Sequence, residues 1–403
     1  MKRFWSSATT GERTLFIILC LFFLVVFLSE YVNGRFWLND FRVYYDAAGA
    51  LLNGETIYGE AFGLSSGFYK YAPIALLPFI PFNLLSFETA AIIFYFILSG
   101  CYLLSVFYIP SRINSLLGLH DQSGKRYWTF LLFTFLIIAS HCHRELHLGN
   151  INIILLILAF TAYYSYQKGG IYLSAVLIGI IVLFKPHFVI ILLLLALWQK
   201  WKVLFTAFGV LVVGLLLPVL WLGVDGNFSM LGEWGGTMLG HSENLEGSVN
   251  TIYFYPVKIY NTFRGGDSAN LIALASVLLA GVVSLITHFR FFGKADGKIE
   301  KERLFMYEFF VVLALIPSLS VTDTEHFVLA LPLIVYSLLK FSKSNSIFFK
   351  LFFVFACFLY GGDWGDLMGD FSKVMRGYGL LGLGNVLIII TSIHFYKVKK
   401  SVA

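Results

Sequence analysis

Five polar segments interrupt an otherwise apolar sequence, and they carry the residue types that could do chemistry. In chain order they are residues 39–60, 141–152, 184–188, 232–260 and 320–332. Carboxylates and histidines in such segments are the usual general acids and bases of enzymes. A lysine among apolar neighbours can stabilise a negatively charged group. The five segments therefore predict proton transfer and anion binding.

Asp40 is the first candidate, because it directly follows the first long apolar run and is followed by Tyr44. A carboxylate in this place could take the proton from a hydroxyl nucleophile. Asp is also a common helix N-cap, and Asn39 or Asp40 could cap an amphipathic helix from residue 41 to about 52 at the membrane surface. Both roles stay open, and one residue can fill both.

The segment HCHRELHLGNIN (141–152) is a dense polar cluster between two apolar runs. Its histidines lack the spacing and the acidic partner of a metal site, so we expect no metal there. We predict a loop that binds substrate through hydrogen bonds from Arg144, His147 and Asn150. A helix starting at Gly149 and Asn150 would point free N–H groups towards an anion.

Lys185 lies in FKPHF (184–188), with more than ten apolar residues on each side. A lysine at membrane depth is costly, so we expect it to face a cavity or an anion. The alternative is that its side chain extends to the lipid headgroups. Pro186 predicts a helix break in either case.

The last two polar segments are less informative. The turn at 320–332 carries His326 beside Glu325, and it could equally be a solvated turn. The Gly-rich segment 232–260 includes His241 and Asn250 and could cover a cavity or form a flexible loop.

Composition places these segments in a membrane protein. The chain has 403 residues, of which 58% are hydrophobic and 13% charged, and its mean hydropathy is +0.79. Such a chain could not cover itself with polar surface in water. We predict an all-α polytopic membrane protein with about twelve spans. The spans are centred near residues 14–33, 86–109, 127–140, 150–166, 171–184, 187–198, 203–222, 269–288, 304–319, 326–340, 347–360 and 381–396.

Basic residues concentrate in the short segments between these spans and at both ends of the chain. This distribution predicts cytoplasmic N- and C-termini. The first apolar run lacks a small-residue cleavage site, so we expect a first helix that is not cleaved. The net charge of +6 is explained in the same way, so no nucleic-acid partner is expected. We predict a single domain over 1–403, in which the longer outer loops 34–85, 223–268 and 361–380 form a cavity on the outer face.

The polar motifs resemble those of a known family. They are DFRVYY (40–45), YKYAPIALLPF (69–79), GNIN (149–152), the lysine and proline of FKPHF, and EHFVLALP (325–332). In this order they are similar to motifs of the bacterial polyprenol-phosphate-mannose-dependent α-mannosyltransferases, of the C-type membrane glycosyltransferase superfamily. The resemblance covers most of the chain. It departs from the family at Asn150, where a glutamine is usual.

The resemblance implies a GT-C-like fold and inverting transfer of a sugar, mannose, from a polyprenyl-phosphate donor to an acceptor hydroxyl. The matching Asp40 would be the general base, acting on the outer side of the bacterial cytoplasmic membrane. The partners would be the lipid-linked donor, a glycolipid or glycan acceptor, and membrane lipids, with no cofactor. The residues expected to bind donor are Lys185, His326, Asn150, Tyr44, Arg144 and His147, and those expected to bind acceptor are Asn250 and His241.

Two other classes remain open from the sequence. A transporter or flippase of lipid-linked sugars would place ionisable residues near the midplane of several helices. A polysaccharide polymerase or ligase with a lipid-diphosphate donor would carry a large outer loop rich in Arg. The sequence contains no Asp-x-Asp element, so nothing in it indicates a metal-bound nucleotide donor.

Overall fold

Long apolar runs fold as helices here, because only internal hydrogen bonds can satisfy the backbone in a lipid environment. A computed structural model describes residues 8–63, 67–119, 127–241, 249–264, 269–320 and 323–397. Within these ranges the regular structure is helical, apart from one antiparallel bridge between Ala61 and Phe68. The chain divides into two units, Met1–His241 and Ser242–Ala403.

The first unit contains nine α-helices within its described residues. They are α1 Thr10–Val32, α2 Asn39–Asn53, α3 Phe87–Leu116, α4 Tyr127–Leu148, α5 Asn152–Gln167, α6 Ile171–Phe184, α7 Ile190–Leu197, α8 Trp201–Leu216 and α9 Val219–His241. Short 3-10 helices cover Pro73–Leu84 and Pro186–Val189. Aromatic side chains fill the space between α1, α3 and α4; the Tyr95 hydroxyl, for example, donates to the Phe23 carbonyl at 2.8 Å.

The described part of the second unit contains seven α-helices. They are α10 Phe254–Arg264, α11 Ala269–Phe292, α12 Gly297–Leu319, α13 Leu331–Phe341, α14 Ile347–Gly361, α15 Asp370–Gly377 and α16 Leu380–Lys397. Short 3-10 helices cover Thr324–Ala330 and Gly365–Met368. Buried Asn385 on α16 donates to the Ala314 carbonyl of α12 at 2.7 Å and to the Ser318 hydroxyl at 2.9 Å.

Length and composition identify a polytopic membrane protein, as the sequence predicts. In the described residues five helical segments are long and apolar enough to span a membrane: 10–32, 87–116, 269–292, 324–341 and 380–397. The pair α8 and α9, which bends by 90°, would make a sixth. The apolar helices 73–84, 171–184, 186–197 and 347–361 are shorter than this. The total of twelve spans stays a prediction.

The predicted outer segments contain ordered helices. Residues 34–85 hold α2 and the 3-10 helix Pro73–Leu84, and these two elements pack against each other. Most of 223–241 belongs to α9, whose Trp234 indole donates to the Lys70 carbonyl at 3.1 Å. Residues 232–241 of the Gly-rich segment 232–260 are therefore helical and not a loop, whereas residues 242–248 lie outside the described ranges.

Candidate functional site

The first turn of α2 presents Asp40 from a strained entry. Leu38, which precedes the helix, is buried and adopts a left-handed backbone with φ 41°. The helix begins at Asn39, and no side chain makes the N-cap hydrogen bond. The role of Asp40 or Asn39 as an N-cap is therefore wrong, because the helix begins earlier than predicted and Leu38 occupies the cap. Such backbone strain in a non-glycine residue persists only where the surroundings enforce it.

The turn between α4 and α5 approaches α2 closely at Gly149. This glycine has φ 72°, and a Cβ atom on it would lie 2.8 Å from Cβ of Phe41 and 3.2 Å from Cβ of Leu38. A glycine is required both by the positive φ and by this contact. The turn that carries Asn150 therefore lies directly against the start of α2.

The same turn corrects the prediction for 141–152. Helix α4 continues to Leu148, so Cys142, Arg144 and His147 lie in a helix and not in a loop. Helix α5 begins only at Asn152. Amides near its start already have acceptors: Ile151 N–H donates to Oδ1 of Asn150 at 2.7 Å, and Ile153 N–H donates to Oε1 of Glu145 at 2.8 Å. The expected row of free N–H groups is therefore absent at these positions.

Asn150 joins a carboxylate to an ammonium group. Its Nδ2 donates to Oδ2 of Asp40 at 2.6 Å, and Nζ of Lys185 donates to its Oδ1 at 3.2 Å. The Ile151 amide donates to the same Oδ1, and two donors on one side fix which end of the amide is oxygen. Asp40 and Lys185 are thus no more than about 8 Å apart at their charged groups, because one amide links them.

Lys185 lies at the break between α6 and the 3-10 helix that starts with Pro186. Its side chain is only 3% exposed, and Nζ also donates to Oδ1 of Asn152 at 2.6 Å. The ring of Tyr71 faces Nζ at 5.6 Å. A buried ammonium group needs such acceptors to offset its desolvation. The lysine therefore points into the protein, and its extension to the lipid headgroups is wrong.

Two tyrosines border this group of residues. The hydroxyls of Tyr44 and Tyr71 are 2.9 Å apart, and the Tyr58 hydroxyl donates to the Tyr71 carbonyl at 2.7 Å. Burial raises the pKa of Tyr44 well above its ordinary value, with further increases from Tyr71 and Asp40. Tyr44 is therefore neutral at physiological pH and can donate a hydrogen bond. Asp40 and Tyr71 are half-buried, so each is partly accessible from the protein surface.

Sequence reasoning did not identify Tyr71 or Glu145 as site residues. Tyr71 lies in the motif YKYAPIALLPF (69–79), which contributes to the family resemblance, but no chemical role is predicted for any residue of this segment. Glu145 is fully buried on α4, and its Oε2 accepts from the Tyr102 hydroxyl at 2.9 Å. The sequence signal for Glu145 is its position, an acidic residue one helical turn before Gly149, where a helix could end.

Arg144 and His147 occupy other faces of α4. Arg144 is exposed. Nδ1 of His147 lies 2.6 Å from Oε2 of Glu30 on α1, and its ring contacts that of Trp37 at 5.5 Å between centroids. The described contact of His147 therefore joins α1 to α4, and the predicted donor-binding role of both residues stays a prediction.

The other predicted residues belong to the second unit or to its border. Nδ1 of His326 lies 3.3 Å from Oε1 of Glu325, which is fully buried. Oδ1 of Asn250 accepts from the Gly382 amide of α16 at 3.3 Å. His241 ends α9, and its side chain lies outside the described part of the structure. The roles of these three residues in donor or acceptor binding stay predictions.

The geometry of the first unit combines two chemical abilities. A half-buried carboxylate can accept a proton, and a buried ammonium group beside two amides can stabilise an anion. Among the described residues, no group of three or more His, Cys, Asp or Glu side chains could hold a metal ion.

Comparison with protein families gives one match. The model of glycosyltransferase family 87 matches residues 68–318, which is more than half of the 403 residues. The matched range includes Tyr71, Asn150 and Lys185, and it begins after Asp40 and Tyr44. A comparison with curated proteins finds no match.

Proposed function

The chain belongs to glycosyltransferase family 87, and from this membership we propose a specific transfer reaction. The protein moves mannose from a polyprenyl-phosphate donor to a hydroxyl group of a glycolipid or glycan acceptor. The reaction takes place on the outer side of the bacterial cytoplasmic membrane and inverts the anomeric centre. The observation that carries the proposal is the link from Asp40 through Asn150 to Lys185.

Asp40 acts as the general base. It removes the proton from the acceptor hydroxyl while the hydroxyl oxygen forms a bond to the anomeric carbon. The bond between that carbon and the phosphate oxygen breaks, and the polyprenyl phosphate leaves with the electron pair. A half-buried carboxylate supports this role, because an acceptor from outside can reach it while the hydrogen bond from Asn150 holds its orientation.

Lys185 stabilises the phosphate that leaves. A buried ammonium group among amide oxygens carries a high desolvation cost, which an anionic phosphate at the membrane surface would offset. The amides of Asn150 and Asn152 hold the ammonium group in place before the donor arrives. Preorganised charge of this kind acts without reorganisation during the reaction.

Tyr44 donates a hydrogen bond to the donor sugar or phosphate, because its hydroxyl lies 2.9 Å from that of Tyr71, whose ring faces Lys185. Arg144 and His147 assist in binding the donor. Family membership favours transfer of a sugar over the transport of a lipid-linked sugar. A lipid-linked donor suits a membrane enzyme with an outer active site, because nucleotide sugars are made in the cytoplasm.

The decisive experiment supplies purified protein in detergent or nanodiscs with a membrane glycolipid extract as acceptor. One reaction receives polyprenyl-phosphate mannose and a second receives a nucleotide mannose, and mass spectrometry follows the glycolipid products. We expect a hexose added only from the lipid-linked donor. Transfer from the nucleotide sugar alone would refute the donor class, and transfer of another lipid-linked hexose would change only the identity of the sugar.

A further inference from the structure

Glu145 is a buried carboxylate that takes no direct part in the proposed transfer. Its residue is 0% exposed, and it lies on α4 four residues before Gly149. Burying a carboxylate is costly unless hydrogen bonds and positive charge compensate for it. The contacts of Glu145 with neighbouring helices explain why a buried carboxylate is placed near the end of α4.

The carboxylate ties two other helices to α4. Oε2 accepts from the Tyr102 hydroxyl of α3 at 2.9 Å, and Oε1 accepts from the Ile153 N–H in the first turn of α5 at 2.8 Å. The start of a helix carries a partial positive charge, which compensates a buried anion. The side chain of Glu145 therefore fixes where α5 begins relative to α3.

The main chain of the same residue holds the other end of the turn. Its carbonyl oxygen accepts from the Gly149 amide at 2.7 Å and from the Asn150 amide at 3.3 Å. Residues 149–153 are thus attached to Glu145 at both ends. Asn150 and Asn152, whose side-chain amides contact Asp40 and Lys185, belong to this stretch.

We propose that Glu145 is a positioning residue of the transfer reaction, with a carboxylate that keeps Asn150 between Asp40 and Lys185. This assignment rests on the proposed function. Tyr102 acts with it, since its hydroxyl sets the orientation of the carboxylate. A displacement of about 1 Å in a group that orients the reacting atoms can cost about 100-fold in rate, so small changes in reach should be visible in turnover.

The first test is Glu145→Asp, which keeps the negative charge and shortens the side chain by one carbon–carbon bond. The shorter side chain cannot reach both Tyr102 and the Ile153 amide from the same backbone position. We expect kcat at saturating donor, per mole of folded protein, to fall by about 10-fold to 100-fold. The KM for the donor should change less than kcat does, because Lys185 lies on a different chain segment and keeps its charge, although Asn150 and Asn152 contact it.

The second test compares two buried tyrosines of α3. Tyr102→Phe removes the hydroxyl that contacts Glu145, whereas Tyr95→Phe removes a hydroxyl that donates to the Phe23 carbonyl at 2.8 Å. Both changes delete one buried hydrogen bond from the same helix. We expect Tyr102→Phe to lower kcat by about fivefold or more and Tyr95→Phe to leave it within about twofold.

A double-mutant cycle with Asn150→Ala completes the design. If Glu145 acts through Asn150, adding Glu145→Asp to Asn150→Ala should cost much less than it costs in the wild type. Independent effects, or an unchanged kcat in Glu145→Asp and Tyr102→Phe while the wild type transfers mannose, would overturn the positioning role alone. Absence of wild-type transfer from every lipid-phosphate sugar would overturn the proposed function, and this assignment with it.

Discussion

Two polar clusters, one in each unit, use their side chains in different ways. In the first unit Asp40, Asn150 and Lys185 come from three separate chain segments and meet at helix ends. In the second unit His288 of α11 and Glu308 of α12 meet within two helices, with Nδ1 of the histidine 3.0 Å from both carboxylate oxygens.

The difference concerns what the contacts can do. Helix ends allow unusual backbone conformations, such as φ 41° at Leu38 and φ 72° at Gly149, and they let side chains of different helices converge. The pair of His288 and Glu308 cross-links two regular helices, with side chains that are 6% and 13% exposed. We expect the first cluster to control turnover and the second to control stability.

The largest effect is expected from Asp40→Asn. The amide keeps the shape of the side chain but removes its basicity, so turnover should fall by roughly 100-fold or more. Asp46→Asn is the matched control, because it changes a half-buried carboxylate on the same helix. Steady-state transfer by purified protein measures both. Normal turnover in folded Asp40→Asn would remove the general base from the mechanism.

Lys185→Met should weaken donor binding and slow the departure of the phosphate. Methionine has a similar length and suits an apolar environment, so insertion and folding should be retained. We expect the apparent donor affinity to fall by about 10-fold or more, the usual cost of losing a charged hydrogen bond. Lys200→Met is the control, because it removes another lysine of the first unit, whose ammonium group lies over the Tyr166 and Trp198 rings. Titration with donor decides, and wild-type affinity in Lys185→Met would show that the phosphate binds elsewhere.

Gly149→Ala tests whether close approach of the turn to α2 builds the cluster. The new Cβ atom would meet Phe41 at 2.8 Å, in addition to the strain of a positive φ. Gly169→Ala has the same strain at φ 85°, with nothing within 4 Å of the added atom. We expect about a 10-fold loss of turnover in Gly149→Ala and almost none in Gly169→Ala. Equal turnover in the two variants would separate this contact from function.

Much of this architecture could be predicted from the sequence. Hydropathy predicts the helical membrane class, and Pro186 predicts the break beside Lys185, both of which are confirmed. The sequence prediction is wrong at the end of α4, because the polar run 141–148 predicts a loop whereas the helix continues to Leu148. Residues 141–148 of α4 are stabilised by tertiary contacts, such as that of Glu145 with Tyr102, which no local sequence pattern reveals.

Convergence is the other part that a single sequence does not contain. Asp40 and Asn150 are 110 residues apart, and Asn150 and Lys185 are 35 apart. Their types and helix-end positions mark each as a candidate, but the contact between them depends on how α2 packs against the turn at Gly149. The motif YKYAPIALLPF (69–79) marks the segment of Tyr71, but its place beside Tyr44 and Lys185 is known only from the structure.

The smallest effect on turnover is expected from Glu308→Gln, which tests the second half of the comparison. The change removes the charge opposite His288 but keeps one oxygen that can accept from its ring. A largely buried ring nitrogen that loses one of its two carboxylate oxygens is less well satisfied, so the midpoint of thermal unfolding in detergent should fall by about 2 °C or more. Turnover per folded molecule should stay within about twofold of the wild type.

Thr287→Val on the same helix provides the control, because its hydroxyl makes an exposed hydrogen bond to the Val283 carbonyl one turn earlier, at 2.8 Å. It should change neither stability nor turnover. A loss of turnover in Glu308→Gln as large as that in Asp40→Asn would make the second cluster part of the catalytic machinery. An unchanged unfolding midpoint in Glu308→Gln would show that the pair does not stabilise the protein either. A cross-link between α11 and α12 must contribute to stability, because the two helices separate on unfolding.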